Sequence, residues 1–156
     1  MCESLLKHIE NHWKAKTEVS NALFIKGDYE QSLNGYREAL DHAKVLNTYT
    51  KEATRLNIPF VQLFAISCNN IAFTYEEMKM KKKGSKMLKR VIYFSLTLCG
   101  NSMVNSDEIQ SGLKIAMLNY TDYSERNRLQ TQDITKVRED VEGHLTFIDR
   151  VHHLHI

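Results

Sequence analysis

Residues 22–40 read Ala22-Leu-Phe-Ile-Lys-Gly-Asp-Tyr-Glu-Gln-Ser-Leu-Asn-Gly-Tyr-Arg-Glu-Ala-Leu40, and the reading of this stretch decides the fold. Gly27 can take the left-handed backbone at little cost and so ends one helix, while Asp28 offers a side-chain acceptor to the next. Gln31 stands three residues on, at the reciprocal position of a capping box. The result is a helical hairpin. Within residues 16–46, Val19, Ser20 and Leu23 precede the turn and Ser32, Tyr36 and Ala39 follow it. Small and large residues thus share the faces that meet, and the two backbones can approach closely.

With Gly27-Asp28-Tyr29 taken as the turn, this hairpin resembles a tetratricopeptide repeat. Ser20 and Ser32 fall on the family's two small positions, Leu23 and Tyr36 on two of its large ones, and Ala39 on its last alanine, with Lys44 where the closing proline would be. A second match follows in Cys68, Ile71, Ala72 and Tyr75, then Gly84, Leu88 and Val91 across the next turn. Ser20 and Ser32 are 12 residues apart, as are Ala72 and Gly84, so the two hairpins repeat one register. Such internal repetition marks stacked helical units. Ser20 and Ala72 are 52 residues apart, about 18 more than the family's 34-residue period, so an irregular stack is expected.

Outward from the hairpin, Leu6, Ile9, Trp13, Ser20, Leu23 and Phe24 recur at a helical period, with Glu10, Lys14 and Glu18 expected to turn outward. The second helix carries Tyr29, Leu33, Tyr36, Leu40, Ala43 and Leu46 and is predicted to continue to about Ala53. Asn57-Ile58-Pro59 ends it, because proline disfavours helical geometry in the residue before it and suits the first turn of the next helix. A third helix from Pro59 to about Met78 and a fourth from about Lys82 to Leu98 follow, the latter stopped by Gly100. Ser106-Asp107-Glu108 starts a fifth helix bearing Ile109, Leu113, Ala116, Met117 and Tyr120. A sixth bears Ile134, Val137, Val141, Leu145 and Ile148. The expected fold is all-α: six long helices in three antiparallel hairpins over residues 3–55, 59–99 and 105–153, forming one irregular solenoid or bundle domain over residues 1–156. The last pair lacks the glycine turn and is expected to cap the stack.

Composition agrees with a globular helical chain. Of 156 residues 42% are apolar and 26% charged, with one proline and six glycines. The formal net charge of +2 gives no global field for nucleic acid or an anionic membrane. Cys2, Cys68 and Cys99, an odd number at wide spacing, form neither a disulfide framework nor a metal knuckle, which points to reduced thiols and a cytoplasmic location. The amino terminus has no apolar run of a secretory signal, and residues 58–73 are too short and too polar to span a bilayer.

No nucleophile motif, glycine-rich phosphate loop or His-Glu-x-x-His helix is present, so the chain reads as a non-enzyme with no cofactor and no metal. His144, His152, His153 and His155 crowd the carboxyl end and read as a solvated terminus. Lys79, Lys81, Lys82, Lys83, Lys86, Lys89 and Arg90 form a basic turn that nucleic acid or an acidic partner could use. It lacks the interleaved aromatics of a base-stacking platform. The family resemblance implies a concave groove along the first helix of each pair. Carried over, it would be lined by Thr17, Asn21, Phe24 and Ile25, then by Asn69, Asn70, Phe73 and Glu76. Certain members clamp a terminal carboxylate there; Asn21 and Asn70 match two of the clamp's asparagines, Thr17 stands where its lysine would be, and Lys114 is a candidate cation from the third pair. The resemblance therefore implies a protein- or peptide-binding scaffold or adaptor, chaperone-like or regulatory. The alternatives are an acidic or nucleic-acid partner at the basic turn, and a self-associating structural protein.

Overall fold

The protein was analysed as a computed structural model that describes residues 2–154. It is helical, with no strand among those residues: α1 (Glu3–Ile25), α2 (Tyr29–Thr48), α3 (Thr50–Arg55), α4 (Phe60–Glu77), α5 (Lys81–Leu98), α6 (Ser106–Arg126) and α7 (Thr131–Leu154). Two compact units divide the chain, the first ending at Met87 and the second starting at Leu88, a boundary that falls inside α5.

Seven helices stand where six were expected, because the second does not run on to Ala53. It stops at Thr48, and Tyr49, with φ −107° and ψ 48°, separates it from the one-and-a-half-turn α3. At the break Thr48 Oγ1 donates to the Lys44 carbonyl at 3.2 Å and Thr50 Oγ1 to that of Asn47 at 2.7 Å.

Four helix stops share one geometry. Gly27, Asn57, Lys79 and Arg128 all have positive φ, between 55° and 83°. In each case their N–H reaches back three residues and the following N–H reaches back five, as in Asp28 to Leu23, Ile58 to Ala53, Met80 to Tyr75 and Leu129 to Ser124. The glycine stop is the one that sequence makes obvious. At Lys79 and Arg128 the same paired bonds hold a left-handed conformation against a Cβ penalty. The Asp28 side chain accepts from the Gln31 N–H at 3.4 Å, and Asn105 caps α6 by accepting from the Glu108 N–H at 3.1 Å.

In the first unit α1 packs on α2, and α2 on α4. The α1–α2 approach is close because it is made of small residues: a Cβ placed on Gly35 would lie 2.0 Å from Ser20 Oγ. Ser32 Oγ crosses this seam to donate to the Ser20 carbonyl at 2.9 Å. Leu6, Trp13, Leu33, Leu40, Leu46, Phe60, Leu63, Phe64 and Ile71 fill the core around it. Trp13, buried, donates its indole N–H to Ser67 Oγ at 2.7 Å and so ties α1 to α4. The second unit buries Leu88, Val91 and Ile92 of α5, Ile109, Leu113, Tyr120 and Tyr123 of α6, and Ile134, Val137 and Val141 of α7. Tyr93 of α5 donates to Asp140 of α7 at 2.7 Å. No helix among the described residues is long and apolar enough to cross a membrane.

Candidate functional site

An open groove of about 330 Å³ lies in the first unit, lined by Asn21, Phe24, Ile25, Tyr36, Asn70 and Phe73. Its walls are the last turns of α1 and the middle of α4, 49 residues apart between Asn21 and Asn70, with Tyr36 of α2 beneath. Positions three and four apart on a helix share a face, so Asn21 stands with Phe24 and Ile25, and Asn70 with Phe73. Ile25 is 84% exposed, whereas Phe24 is half-buried with its ring edge-on to Tyr29 at 5.2 Å between centroids.

Tyr36 gives the groove its polarity. Its ring is buried, and its hydroxyl donates to Asn21 Oδ1 at 2.5 Å. Burial is the main reason that the phenol titrates above its ordinary range, with a hydrogen bond to Ser32 opposing it, so the group keeps its proton and remains a donor. A carboxamide whose oxygen is engaged in this way offers its amide N–H groups outward. The site therefore combines aromatic and aliphatic surface with at least one oriented donor, a chemistry suited to carbonyl or carboxylate acceptors and apolar side chains.

Of the eight residues expected to line a groove, Asn21, Phe24, Ile25, Asn70 and Phe73 come together. Three do not. Thr17 is buried, and its Oγ1 has no hydrogen-bond partner. One turn before it Trp13 is bonded to Ser67 of α4, so the face is closed at that level and opens only from Asn21 onward. Asn69 and Glu76 are half-buried and outside the lining. Tyr36 reads in the sequence as a helix-packing residue; the signal for its second role is that a tyrosine at a buried helical position needs a partner for its hydroxyl.

The basic turn is exposed at Lys79, Lys81, Lys82, Lys83, Lys86 and Arg90 and half-buried at Lys89, with Lys89 and Arg90 in the second unit. Arg37 of α2 joins the part in the first unit. Its guanidinium donates to the Tyr75 hydroxyl and lies 5.7 Å from the Tyr75 ring centroid, and Lys83 Nζ lies 5.8 Å from the same centroid. Sequence distance hid this contribution, since Arg37 lies 38 residues from Tyr75.

Lys114 is exposed on α6, in the second unit. His144 is half-buried on α7; the side chains of His152 and His153, and the whole of His155, lie outside the described residues. No disulfide joins the three thiols. Among the described residues no group of three His, Cys, Asp or Glu side chains is placed to hold a metal ion. No protein-family model matches the chain, and no curated protein or solved structure is significantly similar to it.

Proposed function

We propose that the first unit is a non-catalytic binding module, an adaptor of tetratricopeptide-like design, that takes an extended segment of a partner protein into the groove of Asn21, Phe24, Ile25, Tyr36, Asn70 and Phe73. One observation carries the reading: residues of α1 and α4, far apart in the chain, line a single open groove in which the Tyr36 hydroxyl holds Asn21 as a donor. An extended peptide presents what this surface lacks, carbonyl acceptors along its backbone and apolar side chains at intervals. Phe24 and Phe73 supply the apolar anchors and the two asparagines set the register.

The test uses peptides selected from a random displayed library against the full chain. Asn21→Ala with Asn70→Ala removes the polar contacts and should weaken a selected peptide by about 1–3 kcal/mol in total. The first change also takes the acceptor from the buried Tyr36 hydroxyl, so some loss of melting temperature is expected and binding is compared where both proteins are folded. If the folded double variant binds as tightly as the parent, the groove is not the site. The basic turn is then the surface to examine. That second reading, an acidic partner, is favoured by Arg37 and Lys83 gathering at the Tyr75 ring, which concentrates cations from two helices at one point.

A further inference from the structure

The basic turn carries cations that the fold leaves without counter-charge. Lys79, Lys82, Lys83 and Lys86 are exposed there, and Arg37, exposed on α2, joins them, all five within the first unit. Among the described residues no carboxylate lies within ion-pair distance of any of the five, whereas Arg55, the other arginine of that unit, has Glu3 at 2.9 Å. The first turn of α5 holds no acidic residue either. Lys86 stands four residues from Lys82 and three from Lys83, so their like charges repel along one helix face.

Arg37 is the focus of the cluster. A guanidinium has five N–H donors, and here one of them is directed at the Tyr75 hydroxyl, a neutral acceptor that leaves the charge uncompensated. The Arg37 guanidinium and Lys83 Nζ lie 5.7 and 5.8 Å from the centroid of that one ring. Tyr75 is itself buried, so its hydroxyl and ring hold the two cations in place without presenting a surface of their own.

We propose that Arg37 and Lys83, flanked by Lys79, Lys82 and Lys86, form a second binding site in this unit, one for a phosphorylated serine or threonine of a partner protein, an inference that rests on the acidic-partner reading of the basic turn and not on the groove. A phosphoryl group carries a charge of about −1.5 to −2 at neutral pH on three acceptor oxygens, more than a carboxylate concentrates at one point. A guanidinium fork meets two of those oxygens in parallel, and an ammonium from another helix can meet the third. Cations gathered at one ring therefore suit a compact dianion better than carboxylates spaced along a chain. Two other polyanions fit less well. The buried Tyr75 ring offers no face on which a base could stack, and the turn exposes one large apolar side chain, Met80, for insertion into a membrane interface.

The experiment selects peptides on the full chain from a library with a fixed central phosphoserine or phosphothreonine and random flanks. Each selected peptide is remade with the unmodified residue and with two glutamates in its place, which match the charge, and affinities are compared by fluorescence anisotropy. The phosphopeptide should bind about tenfold more tightly than the glutamate form. Arg37→Lys keeps the charge and loses the fork, so it should abolish that preference and leave binding of the glutamate form within about threefold of the parent. Lys83→Gln should weaken both. Equal affinity for the two forms overturns the inference and leaves the acidic-partner reading standing, and binding of neither overturns both. Tighter binding of an oligothymidylate or of phosphatidylserine vesicles, lost in the same two variants, overturns the inference as well. Arg37→Lys alters the bond to Tyr75, so its melting temperature is measured alongside. If it unfolds, the Arg37 Nε–H resonance of the ¹⁵N-labelled parent decides: it should move with the phosphopeptide and not with the unmodified form, and a resonance that stays still with both places the site elsewhere.

Discussion

Gly35→Ala tests the seam on which the groove depends. The added methyl would meet Ser20 Oγ at 2.0 Å and Ser20 Cβ at 3.3 Å. Ser20 has little room to give way: its hydroxyl donates to the Lys16 carbonyl at 2.7 Å, and its own carbonyl accepts from Ser32. Overpacking of this kind costs about 1–3 kcal/mol, and alanine's better helix propensity returns about 1 kcal/mol. Because the overlap is severe, at 2.0 Å, the cost falls in the upper part of that range and a net loss of about 1–2 kcal/mol is expected. Ser20→Ala removes the 2.0 Å contact. Since a hydroxyl bonded back to its own helix contributes little, that change should by itself stay within about 0.5 kcal/mol of the parent. The combined variant should return to parental stability or slightly above, giving a coupling of about 1–3 kcal/mol. Trp13, the single tryptophan, is buried in the first unit, so its fluorescence during urea unfolding reports that unit rather than the whole chain. Asn21 and Tyr36 directly follow the two seam residues, so peptide binding should fall and recover with the same pattern. If Gly35→Ala unfolds at the parent's midpoint, or Ser20→Ala fails to rescue it, the close approach does not hold the hairpin and the reasoning is wrong.

Three further outcomes are expected. Thr17→Val keeps the shape and removes a buried hydroxyl without a partner, so urea unfolding should show a gain of up to about 1 kcal/mol; a loss above that size would mean that the hydroxyl is satisfied in solution. Lys79→Gly and Arg128→Gly relieve the left-handed backbone strain at two helix stops, and each should raise stability by about 0.5–1 kcal/mol, measured as a rise in melting temperature. Tyr93 is pushed up to about 12, by desolvation first and then by its hydrogen bond to Asp140 and that carboxylate's charge. A tyrosine whose folded pKa lies above its ordinary value of about 10 favours the folded state below that pH, and this contribution is lost as pH rises from about 10 to 12. Ultraviolet difference titration of Asp140→Asn should show one phenol ionising at lower pH than in the parent.

Much of this molecule is legible from local physics acting along the chain. Gly27 and Asp28 mark the first turn because one tolerates positive φ and the other caps a helix, and both effects act within a few residues. Most of each stripe of α2, α6 and α7 is buried for the same reason, a 3.6-residue period being a property of the helix itself, while Tyr29, Met117, Leu145 and Ile148 are half-buried. Asn21 with Phe24, and Asn70 with Phe73, are three apart on their helices and so share a face for the same reason.

Tertiary structure decided what depends on which helix lies against which. Thr17 shares its α1 face with Asn21, yet it is closed over while Asn21 lines the groove, a difference set by where α4 crosses and ties Trp13 to Ser67. Gly35 is an ordinary weak point within a helix until Ser20 of the neighbouring helix comes against it. Tyr36 became part of the groove, Arg37 part of the basic turn, and His42 a neighbour of His12 by the same cause. Each is a contact between residues far apart in the chain, and a helix's own period specifies a direction around its axis, not the partner it will meet there.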